Sequence, residues 1–132
     1  MRKIKKSNLE WKEELSTPAY NITREKGTET PFSGELYFNI DSGNYHCICC
    51  GNILFTSDDK FDSGTGWPSF FDIATNESVY TKIDSSLGMT RIEALCASCD
   101  AHLGHVFDDG PKPTGKRYCI NSVALKFIKK DK

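Results

Sequence analysis

Hydrophobic and polar positions follow a helical period at the start of the chain. Residues 9–15 scatter apolar side chains among charged ones, a pattern typical of a short helix. Ser16 or Thr17 can cap a second helix, whose first turn suits Pro18. Gly27 suits the end of that helix. The sequence therefore predicts a small helical lead-in.

From residue 31 onward the period changes to two, which is typical of β-strands. Segments 34–40 and 45–48 flank the turn signal DSGN, so the pattern predicts a hairpin there. In a later segment Ile92 and Ala94 share one face, and Glu93 lies on the other. Further strands are predicted at 52–57, 78–84, 89–95 and 119–127. The predicted fold class is mainly β and mainly antiparallel, with short N-terminal helices.

Composition adds limits on size and partners. The chain has 132 residues, so we expect a single domain over 1–132 with flexible ends at 1–8 and 129–132. A hydrophobic content of 38% and a charged content of 27% are typical of a soluble globular protein. The 17 basic and 18 acidic residues nearly cancel, which argues against a dedicated nucleic-acid or membrane surface.

Six cysteines stand in a chain that shows no targeting segment. The charged start is not followed by the apolar run of ~7–15 residues that a secretory signal needs. No stretch approaches the ~18 apolar residues of a membrane span. We therefore expect a cytoplasmic protein with reduced thiols. In that setting six cysteines indicate metal or redox chemistry rather than a disulfide framework.

Four of the cysteines form two C-x-x-C pairs, which are Cys47, Cys50, Cys96 and Cys99. This spacing lets the backbone curl so that two sulfurs face one ion, and four thiolates fill the tetrahedral shell of zinc. The sequence therefore predicts a structural zinc site without an open position for substrate. Cys49 could replace Cys47 or Cys50 as a ligand, and His46 is a further candidate. Buried free cysteines and a redox-active pair are the alternatives, although the βαβ context of redox pairs is missing.

Cys119 stands apart from these clusters, in the strand-like run RYCIN. In a strand, Arg117, Cys119 and Asn121 project from one face. The charge of Arg117 would favour the thiolate, and Asn121 offers both donors and an acceptor. The alternative is an ordinary buried cysteine with an incidental arginine beside it.

Other candidate residues surround this run in the sequence. His102 and His105 are suited to proton transfer near neutral pH, and Gly104 between them would permit a turn. Trp67, in a glycine-rich loop, could line an apolar pocket or anchor the core. Together with Cys119 these residues indicate a thiol enzyme.

Long ordered motifs carry a family resemblance over residues 11–127. They are GTETPFSGELY at 27–37, FDSGTGWPSF at 61–70 and the run from RIEALC to ALKF at 91–127. These motifs closely resemble B-type methionine sulfoxide reductases, which reduce methionine-R-sulfoxide. The resemblance implies two small antiparallel sheets in an open, tent-like arrangement, and one structural zinc ion per chain.

The resemblance also implies roles for individual residues. Cys119 would be the nucleophile that attacks the sulfoxide sulfur, with His105 or His102 supplying the proton that its oxygen needs. Trp67 would pack on the methyl group of the substrate. The zinc ligands would be Cys47, Cys50, Cys96 and Cys99. The other residues of the catalytic pocket would be His102, His105, Phe107, Asp109, Arg117 and Asn121.

One position departs from the family pattern. Many members carry a recycling cysteine in the motif SGCGWPSF, where this chain has Thr65. Oxidised Cys119 would then be regenerated by thioredoxin or another external thiol. Cys49, between predicted ligands, is expected to be held away from the pocket. We also expect oxidised proteins or peptides as substrates and a monomeric enzyme.

Two other functions compete with this interpretation. A zinc-ribbon binding module would explain the paired cysteines, but neither Cys119 nor the histidines. A thiol peroxidase would use a reactive Cys119 equally well, and its turnover of hydrogen peroxide would distinguish it.

Overall fold

Two short helices open the described part of the chain. The computed structural model describes residues 6–85 and 88–130. Helix α1 (Asn8–Glu14) starts with a capping box, in which Ser7 and Glu10 bond each other's backbone N–H. Helix α2 (Thr17–Arg24) is capped by Ser16 and carries a proline in its first turn, as predicted. It ends at Arg24, before the predicted Gly27.

The expected single domain and its flexible ends stay predictions. Residues 1–5 and 131–132 lie outside the described residues. Within the described part, Ser7 caps α1, and Lys129 pairs with Gly43.

Two antiparallel sheets are the main secondary structure of the described residues, which confirms the mainly β fold class. The strands are β1 (Gly43–Cys47), β2 (Ile53–Thr56), β3 (Lys60–Phe61), β4 (Ser69–Phe70), β5 (Val79–Asp84), β6 (Arg91–Cys96), β7 (His102–Phe107), β8 (Arg117–Ile120) and β9 (Leu125–Lys129). The smaller sheet has the order β2-β1-β9, and the larger has the order β3-β4-β8-β7-β6-β5. The candidate site lies on the larger sheet.

The predicted hairpin of 34–40 with 45–48 is wrong. Residues 35–37 form a 3-10 helix, in which the Leu36 N–H donates to the Ser122 hydroxyl. Strand β1 pairs instead with β2 and with β9 from the end of the chain. Two of the apolar residues behind the prediction are solvent-exposed, since Phe38 is 64% and Ile40 is 94% exposed. Alternation in this segment therefore does not mark a buried strand face.

The predicted strand 119–127 is broken in the middle. Strand β8 ends at Ile120, a 3-10 helix spans Ser122–Ala124, and β9 follows. Because β8 belongs to the larger sheet and β9 to the smaller one, this break carries the chain from one sheet to the other.

The buried positions of β5 and β6 include two carboxylates. Glu93 is 1% exposed, whereas its neighbour Ile92 is 38% exposed. At the end of β5, Asp84 is buried and Ile83 is 68% exposed. Buried carboxylates need charged or hydrogen-bonding partners, and both have histidine partners.

Aromatic side chains from both sheets meet in the core. Tyr45 of β1, Phe55 of β2 and Phe70 of β4 are fully buried. The ring of Phe55 stacks on Phe70 with centroids 4.3 Å apart, and Tyr45 meets Phe70 edge-on at 5.1 Å. Burial of each such ring stabilises the fold by about 1.5–3 kcal/mol. Among the described residues, no helix has the length and apolar character needed to cross a membrane.

Candidate active site

Cys119 lies in β8 between two neighbouring strands of the larger sheet. It is directly opposite Ser69 of β4 on one side and His105 of β7 on the other. His105 is in turn opposite Glu93 of β6. Directly paired residues of antiparallel strands point to the same face, with Cβ atoms about 4.5–5.5 Å apart. The pairing therefore sets a thiol, an imidazole and a carboxylate in one row.

Gly104 serves a close approach of strands rather than the turn predicted between the histidines. His102 and His105 both belong to the continuous strand β7. A Cβ atom at Gly104 would overlap the carbonyl oxygen of Cys119 on the facing strand. A glycine there lets β7 and β8 pair closely beside the thiol.

A small cavity of about 100 Å³ opens at Cys119. Its lining residues are Thr28, Trp67, Arg91, Gly104, His105, Phe107, Cys119 and Asn121. The structure thus brings together five of the residues that the sequence proposed for the site. Thr28 and Arg91 were missed. His102, Asp109 and Arg117 are not among the lining residues, and they reach the site through their neighbours.

Burial raises the pKa of the Cys119 thiol above its usual range. The Arg117 charge and a hydrogen bond with the Thr65 side chain act in the opposite direction, but burial has the largest effect. The sequence predicted that Arg117 favours the thiolate. That influence has the predicted sign, but it does not by itself bring the pKa below the ordinary value.

Arg117 is held in place by Asp109 and Phe107. Its Nε donates to Asp109 Oδ1 at 2.9 Å, and the guanidinium lies 4.3 Å from the Phe107 ring centroid. The Arg117 guanidinium lowers the pKa of the exposed Asp109 carboxyl. Arg117 and Asp109, which do not line the cavity, are therefore connected to it through the lining residue Phe107.

Glu29 connects two walls of the cavity and was missed at the sequence level. Its carbonyl oxygen accepts from Trp67 Nε1 at 3.0 Å, and its N–H donates to Asn121 Oδ1 at 3.0 Å. The amide of Asn121 also donates to the Leu103 carbonyl at 3.0 Å. The Glu29 carboxylate accepts from the Val123 N–H at 3.0 Å. The indole and the amide are therefore fixed in orientation.

Each histidine is bound to a buried carboxylate. His102 Nδ1 lies 2.7 Å from Glu93 Oε2, and His105 Nε2 lies 3.0 Å from Asp84 Oδ2. The two rings are 5.4 Å apart. Burial lowers the pKa of His102, and the contact with Glu93 opposes that effect only in part. A signal was available in the sequence, because Glu93 stands next to the apolar residues Ile92 and Ala94, and Asp84 follows Ile83.

The four paired cysteines converge at one point. The sulfurs of Cys47, Cys50, Cys96 and Cys99 lie within 4.8 Å of one another. The Cys47–Cys99 and Cys50–Cys96 sulfurs are 3.7 and 3.6 Å apart. Sulfurs about 2.3 Å from a tetrahedral zinc ion would be about 3.8 Å apart. The donor set and its spacing therefore fit such an ion.

Similar turns place the two cysteine pairs. Cys47 ends β1 and Cys96 ends β6, and in both the carbonyl of the first cysteine accepts from an N–H four residues on. The donors, Gly51 and Asp100, both have left-handed backbone angles, with φ of 82° and 65°. Since β1 and β6 belong to different sheets, the cluster joins the two sheets at these turns.

The remaining candidate ligands lie outside the four-sulfur group, although Cys49 interacts with Cys47 and Cys99. Cys49 contacts the Thr23 hydroxyl of α2 at 3.3 Å, and His46 Nδ1 contacts the Gly51 carbonyl at 2.9 Å. Neither belongs to the group of side chains that could share an ion. Cys49 is also absent from the residues that line the Cys119 cavity.

Fold and site together describe a small β protein with a thiol in a cavity and a separate four-thiol cluster. The SelR domain model matches residues 15–129. The chain therefore belongs to the SelR domain family.

Curated relatives are similar over nearly the whole chain. A Hahella chejuensis protein described as peptide methionine sulfoxide reductase MsrB is 55% identical over 131 residues, 99% of this chain and 94% of the relative. A Methanosarcina barkeri protein with the same description is 57% identical over 124 residues, 94% of this chain and 87% of the relative. The Rattus norvegicus mitochondrial methionine-R-sulfoxide reductase B2 is 51% identical over 132 residues, 95% of this chain and 76% of the relative.

Proposed function

We propose that this chain reduces the R epimer of methionine sulfoxide, chiefly in peptides, with Cys119 as the nucleophile. The observation that carries the proposal is the direct pairing of Cys119 with His105 beside a cavity of about 100 Å³. Family membership and the descriptions of the similar proteins support the same reaction.

The reaction needs a nucleophile and a proton at one place. The Cys119 thiolate attacks the electrophilic sulfoxide sulfur, and His105 protonates the sulfoxide oxygen. The attack forms a bond between the two sulfurs, and the protonated oxygen leaves the substrate sulfur as water. Water then attacks the Cys119 sulfur, the sulfur–sulfur bond breaks, methionine departs with the electron pair of that bond, and Cys119 is left as a sulfenic acid with release of a proton. In balance, one thiol and one sulfoxide give one sulfenic acid and one thioether. The methionine sulfur gains two electrons, which the Cys119 sulfur supplies.

The cavity walls suit a sulfoxide side chain. Trp67 and Phe107 offer apolar surfaces, and the Trp67 ring is fixed through its bond to the Glu29 carbonyl. We place the substrate methyl group against Trp67. The Arg117–Asp109 pair and Asn121 keep the polar side of the pocket in position. His102 lies next to His105, and we assign both histidines to proton transfer.

Regeneration of Cys119 requires an external thiol in this proposal. Thr65 stands at the position of the family's recycling cysteine, and its hydroxyl bonds Ser63 at 2.7 Å. One thiol converts the sulfenic acid to a mixed disulfide and releases water. A second thiol then releases Cys119 and leaves with the first as a disulfide. Thioredoxin or a small thiol supplies both equivalents.

The cysteine cluster is proposed to hold one structural zinc ion per chain. Four thiolates leave no coordination position for substrate, and zinc bound in this way stabilises the fold. Arg24 supports the site, since its Nη2 lies 3.1 Å from the Cys99 sulfur. The ion would fix the two turns and thereby the relative position of the sheets.

The setting of the reaction is proposed to be the cytoplasm, with the enzyme acting as a monomer. The proposed zinc ligands and the nucleophile Cys119 all need reduced cysteines, which suits a reducing compartment. The near balance of 17 basic and 18 acidic residues supports a substrate that is neither nucleic acid nor membrane.

A comparison of substrates tests the proposed function. Peptides that carry the resolved R or S epimer of methionine sulfoxide are incubated with the enzyme and dithiothreitol, and methionine is measured. We expect turnover of the R epimer alone, and none with Cys119→Ser. Turnover of hydrogen peroxide with no reduction of either epimer would instead identify a thiol peroxidase.

A further inference from the structure

Two buried carboxylates lie behind the two histidines in a matched arrangement. One oxygen of each carboxylate faces an imidazole, at 3.0 Å for Asp84 Oδ2 to His105 Nε2 and 2.7 Å for Glu93 Oε2 to His102 Nδ1. The other oxygen faces Lys26, whose Nζ lies 3.4 Å from Asp84 Oδ1 and 3.3 Å from Glu93 Oε1. Both carboxylate side chains are almost completely buried.

We propose that Asp84 and Glu93 are positioning residues that fix opposite tautomers in the two histidines. Asp84 holds His105 with its proton on Nε2, and Glu93 holds His102 with its proton on Nδ1. The inference rests on the proposed function, because it assigns the ring nitrogen of His105 that serves the substrate.

The tautomers follow from hydrogen-bond chemistry. An ionised carboxylate can only accept, so the ring nitrogen that it contacts must carry a hydrogen. In His105 this leaves Nδ1 as the nitrogen available to the cavity that the ring lines. In His102 it leaves Nε2, which is buried and has no partner among the described residues. The two imidazoles therefore differ in which atom can exchange a proton.

Positive groups lie close to both carboxylates. Lys26 approaches from the segment after α2, and Arg91 of β6 places Nη2 3.8 Å from Asp84 Oδ2. These two cations, the two carboxylates and the two imidazoles form one cluster of charged and titratable groups, and Lys82 of β5 is paired directly with Glu93. Buried charges persist when they are paired in this way. Ionised carboxylates in turn stabilise a protonated imidazole.

The arrangement gives His105 a way to act as an acid. A protonated His105 has hydrogens on both nitrogens, with Nε2–H bound to Asp84. It can release the Nδ1 proton toward the sulfoxide oxygen and return to the neutral ring without losing the bond to Asp84. The same logic applies to the aspartate behind the histidine of serine proteases, where an amide replacement enforces the wrong tautomer and lowers kcat about 10⁴-fold.

Isosteric amides provide a sharp test because Lys26 dictates their orientation. Lys26 is a donor, so the amide oxygen of Asp84→Asn or Glu93→Gln should face it. At Asp84 the Arg91 donor lies on the other side, but at 3.8 Å it is farther away than Lys26 at 3.4 Å. The NH₂ group then faces the imidazole and forces its hydrogen onto the other ring nitrogen. His105 in Asp84→Asn should change to the Nδ1–H tautomer, and His102 in Glu93→Gln should change to the Nε2–H tautomer.

Long-range ¹H–¹⁵N spectra of ¹⁵N-histidine-labelled protein identify these tautomers directly. We expect Nε2–H for His105 and Nδ1–H for His102 in the unmodified chain, and the exchanged forms in the two variants. Turnover of an R-sulfoxide peptide by Asp84→Asn should fall about 100-fold or more in kcat, with KM within about threefold. Asp58→Asn, which removes a charge from an exposed residue, should change neither tautomer nor kcat.

The spectra distinguish failure of the tautomer assignment from failure of the proposed function. An unmodified protein with His105 protonated on Nδ1 alone, or His102 on Nε2 alone, would overturn the inference, even if neither variant folded. Variants that fold and keep both original tautomers and full turnover would overturn it as well. A protein with the expected tautomers but no reductase activity would instead contradict the proposed function.

Discussion

Arg117 donates two hydrogen bonds to Asp109, from Nε to Oδ1 at 2.9 Å and from Nη2 to Oδ2 at 3.2 Å. This bidentate pair holds a positive charge close to Cys119, two residues further along β8. The charge lowers the pKa of a thiol that burial raises. The balance of these two effects controls how much thiolate is present.

Removal of the guanidinium should make Cys119 less acidic. In Arg117→Met, burial acts without the opposing charge, so the pKa of the thiol rises and less thiolate is present at any neutral pH. The pH profile of Cys119 alkylation by iodoacetamide should shift to higher pH. Lys116→Met, which removes an exposed neighbouring charge, serves as the control. An unchanged profile in Arg117→Met would contradict this role.

Substitutions in the cysteine cluster and at Cys119 should have different effects on the zinc content of the protein. Zinc binding contributes about 10–16 kcal/mol in peptide models, so Cys96→Ser should lose zinc and fold poorly. Cys119→Ser should keep its zinc and fold, and lose all reductase activity. Metal analysis and circular dichroism measure both. Loss of zinc in Cys119→Ser would show that the ligand assignment is wrong.

The two histidines should contribute to turnover without affecting the metal. His105→Ala should lower kcat by about 10²–10⁴-fold, as expected for a lost general acid. His102→Ala should also lower kcat, because it removes the partner of the buried Glu93. Zinc content should stay the same in both. Full activity of His105→Ala across the neutral pH range would exclude it as the main acid.

A single turnover without reductant should leave Cys119 as a sulfenic acid. Thr65 cannot form a disulfide, and Cys49 packs against Thr23 in the cysteine-rich turn. We expect the protein to gain one oxygen at Cys119, as mass spectrometry and a sulfenic-acid reagent would show. A Cys49–Cys119 disulfide would instead make Cys49 the recycling residue.

The converse variant tests the position of the Thr65 loop. Thr65→Cys should form a disulfide with Cys119 after one turnover, because Thr65 already interacts with the Cys119 side chain. Recycling by thioredoxin should improve. Thr65→Ser keeps the hydroxyl and serves as the control. Absence of the disulfide in Thr65→Cys would contradict the inferred position.

Local patterns were enough to predict part of the architecture. The Ser16 cap and the first-turn proline of α2 depend on neighbours in sequence, and both were predicted. C-x-x-C spacing likewise brings two sulfurs together within one turn. The hairpin at 34–40 was wrong because the partner of β1 comes from β9, at the far end of the chain. Sequence periodicity carries no information about such distant pairing.

The buried carboxylates escaped prediction for a related reason. Glu93 alternates with apolar residues in β6, and the sequence leaves open which face of the strand is buried. Both faces are buried from Glu93 onward, since Ala94 is also fully buried. Glu93 lies inside because it meets His102 and Lys26 from two other segments. Glu29 was missed because the backbone, rather than the side chain, contacts Trp67 and Asn121.

The sequence by itself determined the chemical groups available to this protein. They are two closely spaced cysteine pairs, a separate cysteine in Cys119, and a threonine in place of a recycling cysteine. Tertiary structure decided which histidine lines the cavity and which carboxylate stands behind it. These relationships depend on the register of β6, β7 and β8 and on the chain's passage from one sheet to the other. Register is a property of paired strands, so a single segment of sequence does not contain it.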